Sequence, residues 1–155
     1  MKNLDKLAPL PLETAPLFSI NVRVYYEDTD TAGVVYYANY LKFFERCRTE
    51  WVRAAGYGQA ELAADHGLAF VVRNASAAYK KPARLDDWLT VDLRIESMGR
   101  ARINLIQRVA KQIQGGEVEW VELVSGRVEL ACVQAATFKP TEIPSFLRDK
   151  LQETL

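Results

Sequence analysis

Phe18-Ser19-Ile20-Asn21-Val22-Arg23-Val24-Tyr25-Tyr26 runs through Glu27-Asp28-Thr29-Asp30-Thr31-Ala32-Gly33 and Val34-Val35-Tyr36-Tyr37-Ala38-Asn39 into Tyr40-Leu41-Lys42-Phe43-Phe44-Glu45-Arg46-Cys47, and the change of period along this stretch decides the fold. Phe18, Ile20, Val22, Val24 and Tyr26 alternate with Ser19, Asn21, Arg23 and Tyr25, which predicts a strand with one buried face. Glu27 to Gly33 is acidic and turn-forming. Beyond it Tyr40, Phe44, Cys47, Trp51 and Ala55 recur at helical spacing, Leu41, Phe43 and Val52 widen the stripe, and Gly56 supplies a stop. A helix with so broad an aromatic face has to be wrapped by other structure.

Downstream of that helix the character of the chain changes. A shorter helix is expected near Gln59–Asp65, ended by Gly67, and after it the pattern is almost all strand. Leu89, Val91, Leu93 and Ile95 alternate with polar residues, as do Ala101, Ile103 and Leu105, and then Val128, Leu130 and Cys132. Ser97-Met98-Gly99 and Gln114-Gly115-Gly116 punctuate these strands as hairpin turns, and Ala69–Tyr79 is a weaker strand ended before Pro82. Pro144 ahead of Phe146, Leu147 and Leu151 predicts a short C-terminal helix or tail over 146–155. Residues 1–17, with Pro9, Pro11 and Pro16 and no periodicity, read as a mobile arm. The expected class is α+β, one long central helix wrapped by an antiparallel β-sheet, in a single domain over 18–145.

Composition narrows the function. With 155 residues and 49% of them hydrophobic, the chain can furnish one core. Twenty Lys and Arg balance twenty Asp and Glu, so no net positive charge is available to hold a polyanion, and nucleic acid is not expected as a partner. Cys47 and Cys132 are far apart, no CxxC occurs, and His66 is the sole histidine, so neither a disulfide framework nor a metal site is expected. No signal-peptide core and no apolar run long enough to span a membrane is present, and a cytoplasmic protein is expected.

The acidic loop is where chemistry is expected. Asp28 and Asp30 suit a plain Asx-type turn with solvated acids. Their position before a helix suits more, because free backbone N–H groups at a helix start can receive the negative charge that develops on an attacked carbonyl oxygen. Arg100 and Arg102, just after Met98-Gly99, present guanidinium forks suited to phosphate oxygens, or simply a solvated strand face. Lys80, Lys81 and Arg84 make a second basic patch. Tyr36, Tyr37 and Phe44 are candidates to line an apolar pocket, whereas Tyr40, Phe43 and Trp51 read as core. His66 reads as a helix-end residue.

Val24 to Leu41, continuing through Phe44-Glu45-Arg46-Cys47-Arg48-Thr49-Glu50, resembles the hotdog-fold thioesterases of the 4-hydroxybenzoyl-CoA thioesterase class. Tyr79-Lys80-Lys81-Pro82-Ala83 and Lys139-Pro140-Thr141-Glu142-Ile143-Pro144 share that style, and within the class the chain is most similar to the acyl-CoA thioesterases associated with the bacterial Tol–Pal system. The resemblance implies hydrolysis of an acyl-CoA thioester with no further cofactor, CoA being part of the substrate. It implies that Asp30 is the catalytic carboxylate, as general base or as nucleophile, and that the backbone N–H of Tyr37 polarises the thioester carbonyl. Many Tol–Pal-associated members have a histidine where this chain has Tyr37, while the 4-hydroxybenzoyl-CoA enzymes have a tyrosine. Arg100 and Arg102 become candidates for CoA phosphates. Glu45 is read as a supporting or interface carboxylate, since another hotdog branch uses a helix carboxylate but Asp30 fills that role here. The resemblance further implies a homo-oligomer, a dimer or a homotetramer, with subunits joined edge to edge.

Two rivals differ in class. A phosphatase built on Asp-x-Asp would use Lys80 or Lys81 and Asp86-Asp87, but needs a parallel sheet with intervening helices. A non-catalytic hotdog scaffold would bind an acyl-carrier protein or a cell-envelope partner without hydrolysis.

Overall fold

The computed structural model describes residues 16–113 and 119–153, so the Gln114-Gly115-Gly116 turn and all of the N-terminal arm except Pro16 and Leu17 lie outside the described residues. Five strands, β1 (Phe18–Arg23), β2 (Leu68–Tyr79), β3 (Trp88–Met98), β4 (Arg102–Ile113) and β5 (Glu119–Gln134), accompany three helices, α1 (Asn39–Ala54), α2 (Gln59–His66) and α3 (Ser145–Gln152). The strands form one sheet in the order β1-β3-β4-β5-β2 with every pair antiparallel. Such a sheet has no place for the parallel crossovers of the phosphatase reading, and that reading falls.

The register follows the alternation. Ile20 pairs with Val91 and Val22 with Leu89, so one face of each strand is apolar. Leu89, Val91, Leu93, Ile103, Leu105, Val109, Val124, Val128 and Leu130 are buried together with the stripe of α1, namely Tyr40, Phe43, Phe44, Cys47, Trp51 and Val52. Each large side chain buried this way contributes about 1.5–3 kcal/mol relative to exposure. A polar tie lies within the apolar contact: Gln107, itself 0% exposed, donates from Nε2 to the carbonyl of Phe44 at 3.0 Å and accepts from Arg48 Nη1 at 2.9 Å. At the far end of α1, Trp51 Nε1 donates to the carbonyl of Leu151 at 3.2 Å, and Leu147 and Leu151 of α3 close the core.

One boundary differs from the expectation. The alternation of the first strand runs to Tyr26, but β1 ends at Arg23, opposite Trp88, the first residue of β3. Val24 still donates to Asp87 O at 2.9 Å and is buried, whereas Tyr25 and Tyr26 have no strand to pair with among the described residues and stand exposed. The chain turns there into a single 3-10 turn, Tyr26–Asp28, and the acidic loop begins. The end of β1, the end of β2 and the start of β3 therefore lie at one end of the sheet, which is also where α1 starts.

Candidate active site

The loop between β1 and α1 is built by its own hydrogen bonds. Asp28 is 4% exposed, and both carboxylate oxygens are engaged: Oδ2 accepts the Tyr25 N–H at 2.8 Å and Oδ1 accepts Asn39 Nδ2 at 2.7 Å. From Asp28 the chain runs out and back as a miniature hairpin. Tyr36 N–H donates to Asp28 O at 2.9 Å, Thr29 bridges Val35, and Asp30 N–H donates to Val34 O at 2.9 Å. Gly33 closes the tip by donating to Asp30 O at 3.0 Å with φ of +77°, a left-handed conformation that a β-carbon would disfavour. Asp30 sits at this tip, exposed to solvent, and its Oδ1 accepts the Ala32 N–H at 2.8 Å.

The return limb leads into α1, which begins without a side-chain cap. Asn39 N–H donates to Tyr36 O at 2.8 Å and Leu41 N–H to Ala38 O at 3.2 Å, while the N–H groups of Tyr37 and Ala38 have no acceptor among the described residues. Uncommitted donors at a helix start hold the positive end of its dipole. The Tyr37 carbonyl accepts Tyr79 Oη at 3.0 Å, so the last residue of β2 fastens the helix start to the sheet. Val35 N–H to Ala83 O at 2.9 Å and Ala83 N–H to Tyr40 Oη at 3.1 Å fasten it to the segment after β2. The Tyr36 hydroxyl is held above its ordinary value by a hydrogen bond with the neighbouring Tyr37 hydroxyl, and burial raises that of Tyr40.

Beside Tyr37 opens a cavity of about 270 Å³ lined by Val35, Tyr37, Tyr40, Tyr79, Lys80, Lys81 and Pro82. A larger one, about 530 Å³, crosses the face of the sheet opposite α1 and touches neither Asp30 nor Tyr37. Its Arg108 is paired with Asp92 and its Arg127 with Glu96. The smaller cavity is the one beside uncommitted N–H groups.

The structure thus brings Asp30, Tyr36 and Tyr37 onto one hairpin at the start of α1, and it sets the other sequence candidates apart. Phe44 is 0% exposed beneath the sheet and lines neither cavity. Glu45 is exposed on α1 and accepts a hydrogen bond from Thr49. Arg100 and Arg102 lie at the other end of the sheet, past the full length of β3, roughly 33 Å at the rise of a strand. There Arg100 pairs with Glu142 at 3.3 Å and Arg102 approaches Glu129 at 3.8 Å. Within one chain they are remote from Asp30. Sequence reasoning missed Tyr79 and took Tyr40 for core alone. The available signal was the position of Tyr79, the last strand residue before the Lys80-Lys81 patch. Among the described residues no group of three or more His, Cys, Asp or Glu could hold a metal ion.

A carboxylate on a solvent-reached turn and free N–H groups at a helix start are the two parts of an acyl-transfer site: one takes a proton or attacks, the other receives the oxyanion. The model of the thioesterase-like superfamily matches residues 24–151. The chain belongs to this superfamily and is a thioester hydrolase. It is 41% identical to the acyl-CoA thioesterase YbgC of Haemophilus influenzae, over 82% of this chain and 88% of that protein. Among solved structures, a protein of Aquifex aeolicus superposes with a TM-score of 0.77 at 29% identity, covering 86% of this chain and 98% of the other. A mutant 4-hydroxybenzoyl-CoA thioesterase complexed with 4-hydroxybenzoyl-CoA superposes with a TM-score of 0.78 at 18% identity, over 86% and 96% of the two chains, which shows the shared hotdog fold.

Proposed function

We propose that the chain hydrolyses acyl-CoA thioesters to a free acid and CoA. In this reading Asp30 activates a water as general base or attacks the thioester carbonyl directly, and the Tyr37 N–H receives the oxyanion. The observation that supports it best is the pairing, on one short hairpin, of an exposed carboxylate with an N–H that has no acceptor among the described residues at the start of α1. The likeness to an acyl-CoA thioesterase over most of both chains supports the substrate class. Because the oxyanion donor is a backbone group, a tyrosine at position 37 serves as well as a histidine.

The cavity beside Tyr37 takes part of the acyl thioester, with Lys80 and Lys81 on its wall for anionic groups of CoA, and Tyr36, whose ring lies 4.7 Å from that of Tyr37, contacts the acyl group from outside that lining. Arg100 and Arg102 can serve CoA only from a second subunit. β2 is an edge strand of the sheet, and two copies joined antiparallel along it would set the Arg100 end of one beside the Tyr79 end of the other. A homo-oligomer, dimer or tetramer, working in the cytoplasm in company with the Tol–Pal envelope system, is the setting proposed. Glu45 supports the surface of α1 and does not react.

The test is detection of free CoA thiol over short-chain, long-chain and aromatic acyl-CoAs. Turnover of at least one class is expected. Tight acyl-CoA binding with no release from any class would favour the non-catalytic scaffold.

A further inference from the structure

We propose that Asp28 and Asn39 are the positioning pair of the site, fixing where the Asp30 turn stands relative to the Tyr37 N–H. The proposal rests on the roles given above to Asp30 and Tyr37. Both members are buried, at 4% and 7% exposure, and the 2.7 Å bond from Asn39 Nδ2 to Asp28 Oδ1 joins the entry of the loop to the first residue of α1. The second carboxylate oxygen holds the Tyr25 N–H, so the side chain is fixed from both sides. Two backbone bonds complete a circuit: Tyr36 N–H to Asp28 O, and Asn39 N–H to Tyr36 O. Tyr37 is enclosed by that circuit, and its N–H has no acceptor among the described residues while those of Tyr25, Tyr36 and Asn39 are consumed. The same rung of the hairpin that uses Tyr36 sets the limb on which Asp30 sits.

Stability alone does not account for a carboxylate here. Removing an ionised carboxylate from water is costly, and an amide oxygen could accept the Tyr25 N–H that caps the 3-10 turn as well as a carboxylate does. What a charged acceptor adds is short bonds, about twice as strong as neutral ones, and therefore a stiffer junction between carboxylate turn and helix start. Stiffness matters where a misplacement of about 1 Å can lower a rate by about 10²-fold.

The test separates kcat from KM on an acyl-CoA substrate for Asp28→Asn and for the double variant Asp28→Asn/Asn39→Asp. In the single variant Asn39 keeps a bond only by turning its amide over, so that its oxygen accepts from the new amide at position 28, and a neutral bond replaces the charge-assisted one. In the double variant the amide at position 28 donates to the carboxylate at position 39, and its oxygen still accepts the Tyr25 N–H, so both bonds return with one reversed. The single variant is expected to lose about 10-fold or more in kcat with KM and thermal midpoint close to wild type, and the double variant to recover most of the loss. An unchanged kcat, a change in KM alone, or a loss as deep in the double variant overturns the proposal. Should Asp28→Asn not fold, Asn39→Ala, which leaves the Tyr25 bond intact, takes its place with the same expected loss of kcat at unchanged KM and, because Asp28 Oδ1 loses its partner, a lower thermal midpoint. Asp30→Asn is assayed alongside. Full turnover there defeats the catalytic reading and the positioning claim with it, whereas loss there with unchanged kcat in Asp28→Asn defeats the positioning claim alone.

Discussion

Asp28 and Asp30 are indistinguishable by sequence, two acids either side of one threonine, yet they have opposite fates. Asp28 is buried with both oxygens engaged inside the loop, while Asp30 is exposed on a turn that leaves Oδ2 without a partner among the described residues. The loop has no periodicity that says which side chain points inward, so only the fold of the hairpin separates them. The cysteines were more legible, since both fell on apolar stripes. Cys47 is fully buried with its thiol against the Val91 carbonyl, and burial pushes it far above the ordinary thiol range; burial also pushes Cys132 up to about 11. Neither thiol is expected to react with a thiol reagent in the native protein near neutral pH, and both are expected to react on unfolding. Rapid labelling of the folded protein would contradict that burial, and the slow background matters in practice because CoA release is read by the same chemistry.

At the scale of elements, α1 was legible because its stripe of Tyr40, Phe44, Cys47 and Trp51 is unambiguous, and the strands of β3 and β4 because they alternate. β5 was less so, for its alternation was seen over Val128 to Cys132 while the strand runs from Glu119 to Gln134. Gly126, in the middle of that strand, has its reason in a different element. A β-carbon there would stand 2.5 Å from the Ser76 carbonyl oxygen and 2.7 Å from Phe44 Cε2, so β2, β5 and α1 meet only because the position is bare. Gly126→Ala is expected to lower stability by about 1–3 kcal/mol, since the Ser76 oxygen is backbone and cannot swing away. Chemical denaturation measures it, and a neutral or stabilising result would show that α1 lies further from the sheet than described. No local signal marks such a glycine, because the clash comes from residues distant in sequence.

For the molecule as a whole, zero net charge conceals an uneven arrangement. On the face opposite α1, Asp92, 0% exposed, is paired with Arg108 through Nη2 at 2.7 Å, and Arg108 reaches toward Glu122 at 3.9 Å. Removing one partner should cost more than removing both: Arg108→Met is expected to lose about 3–5 kcal/mol, and the pair replaced by apolar residues markedly less. Burial raises the Asp92 carboxyl above its ordinary 3.8, with Arg108 opposing. The native state then keeps that proton at pH values where the unfolded chain has lost it, so stability falls as pH rises from the unfolded value through the raised one. In Arg108→Met, where the opposing cation is gone, the loss should be smallest at acidic pH; a loss independent of pH would contradict the account. The overall architecture could be read from periodicity, but the separation of Arg100 and Arg102 from Asp30 could not, because it depends on which end of the sheet each turn occupies. The central claim is that hydrolysis depends on the carboxylate of Asp30, and it is tested most directly by turnover of the best acyl-CoA substrate in wild type and in folded Asp30→Asn. A loss of about 10²-fold or more is expected, since a general base alone contributes roughly 10²–10⁴-fold. Unchanged turnover in the folded variant would contradict it.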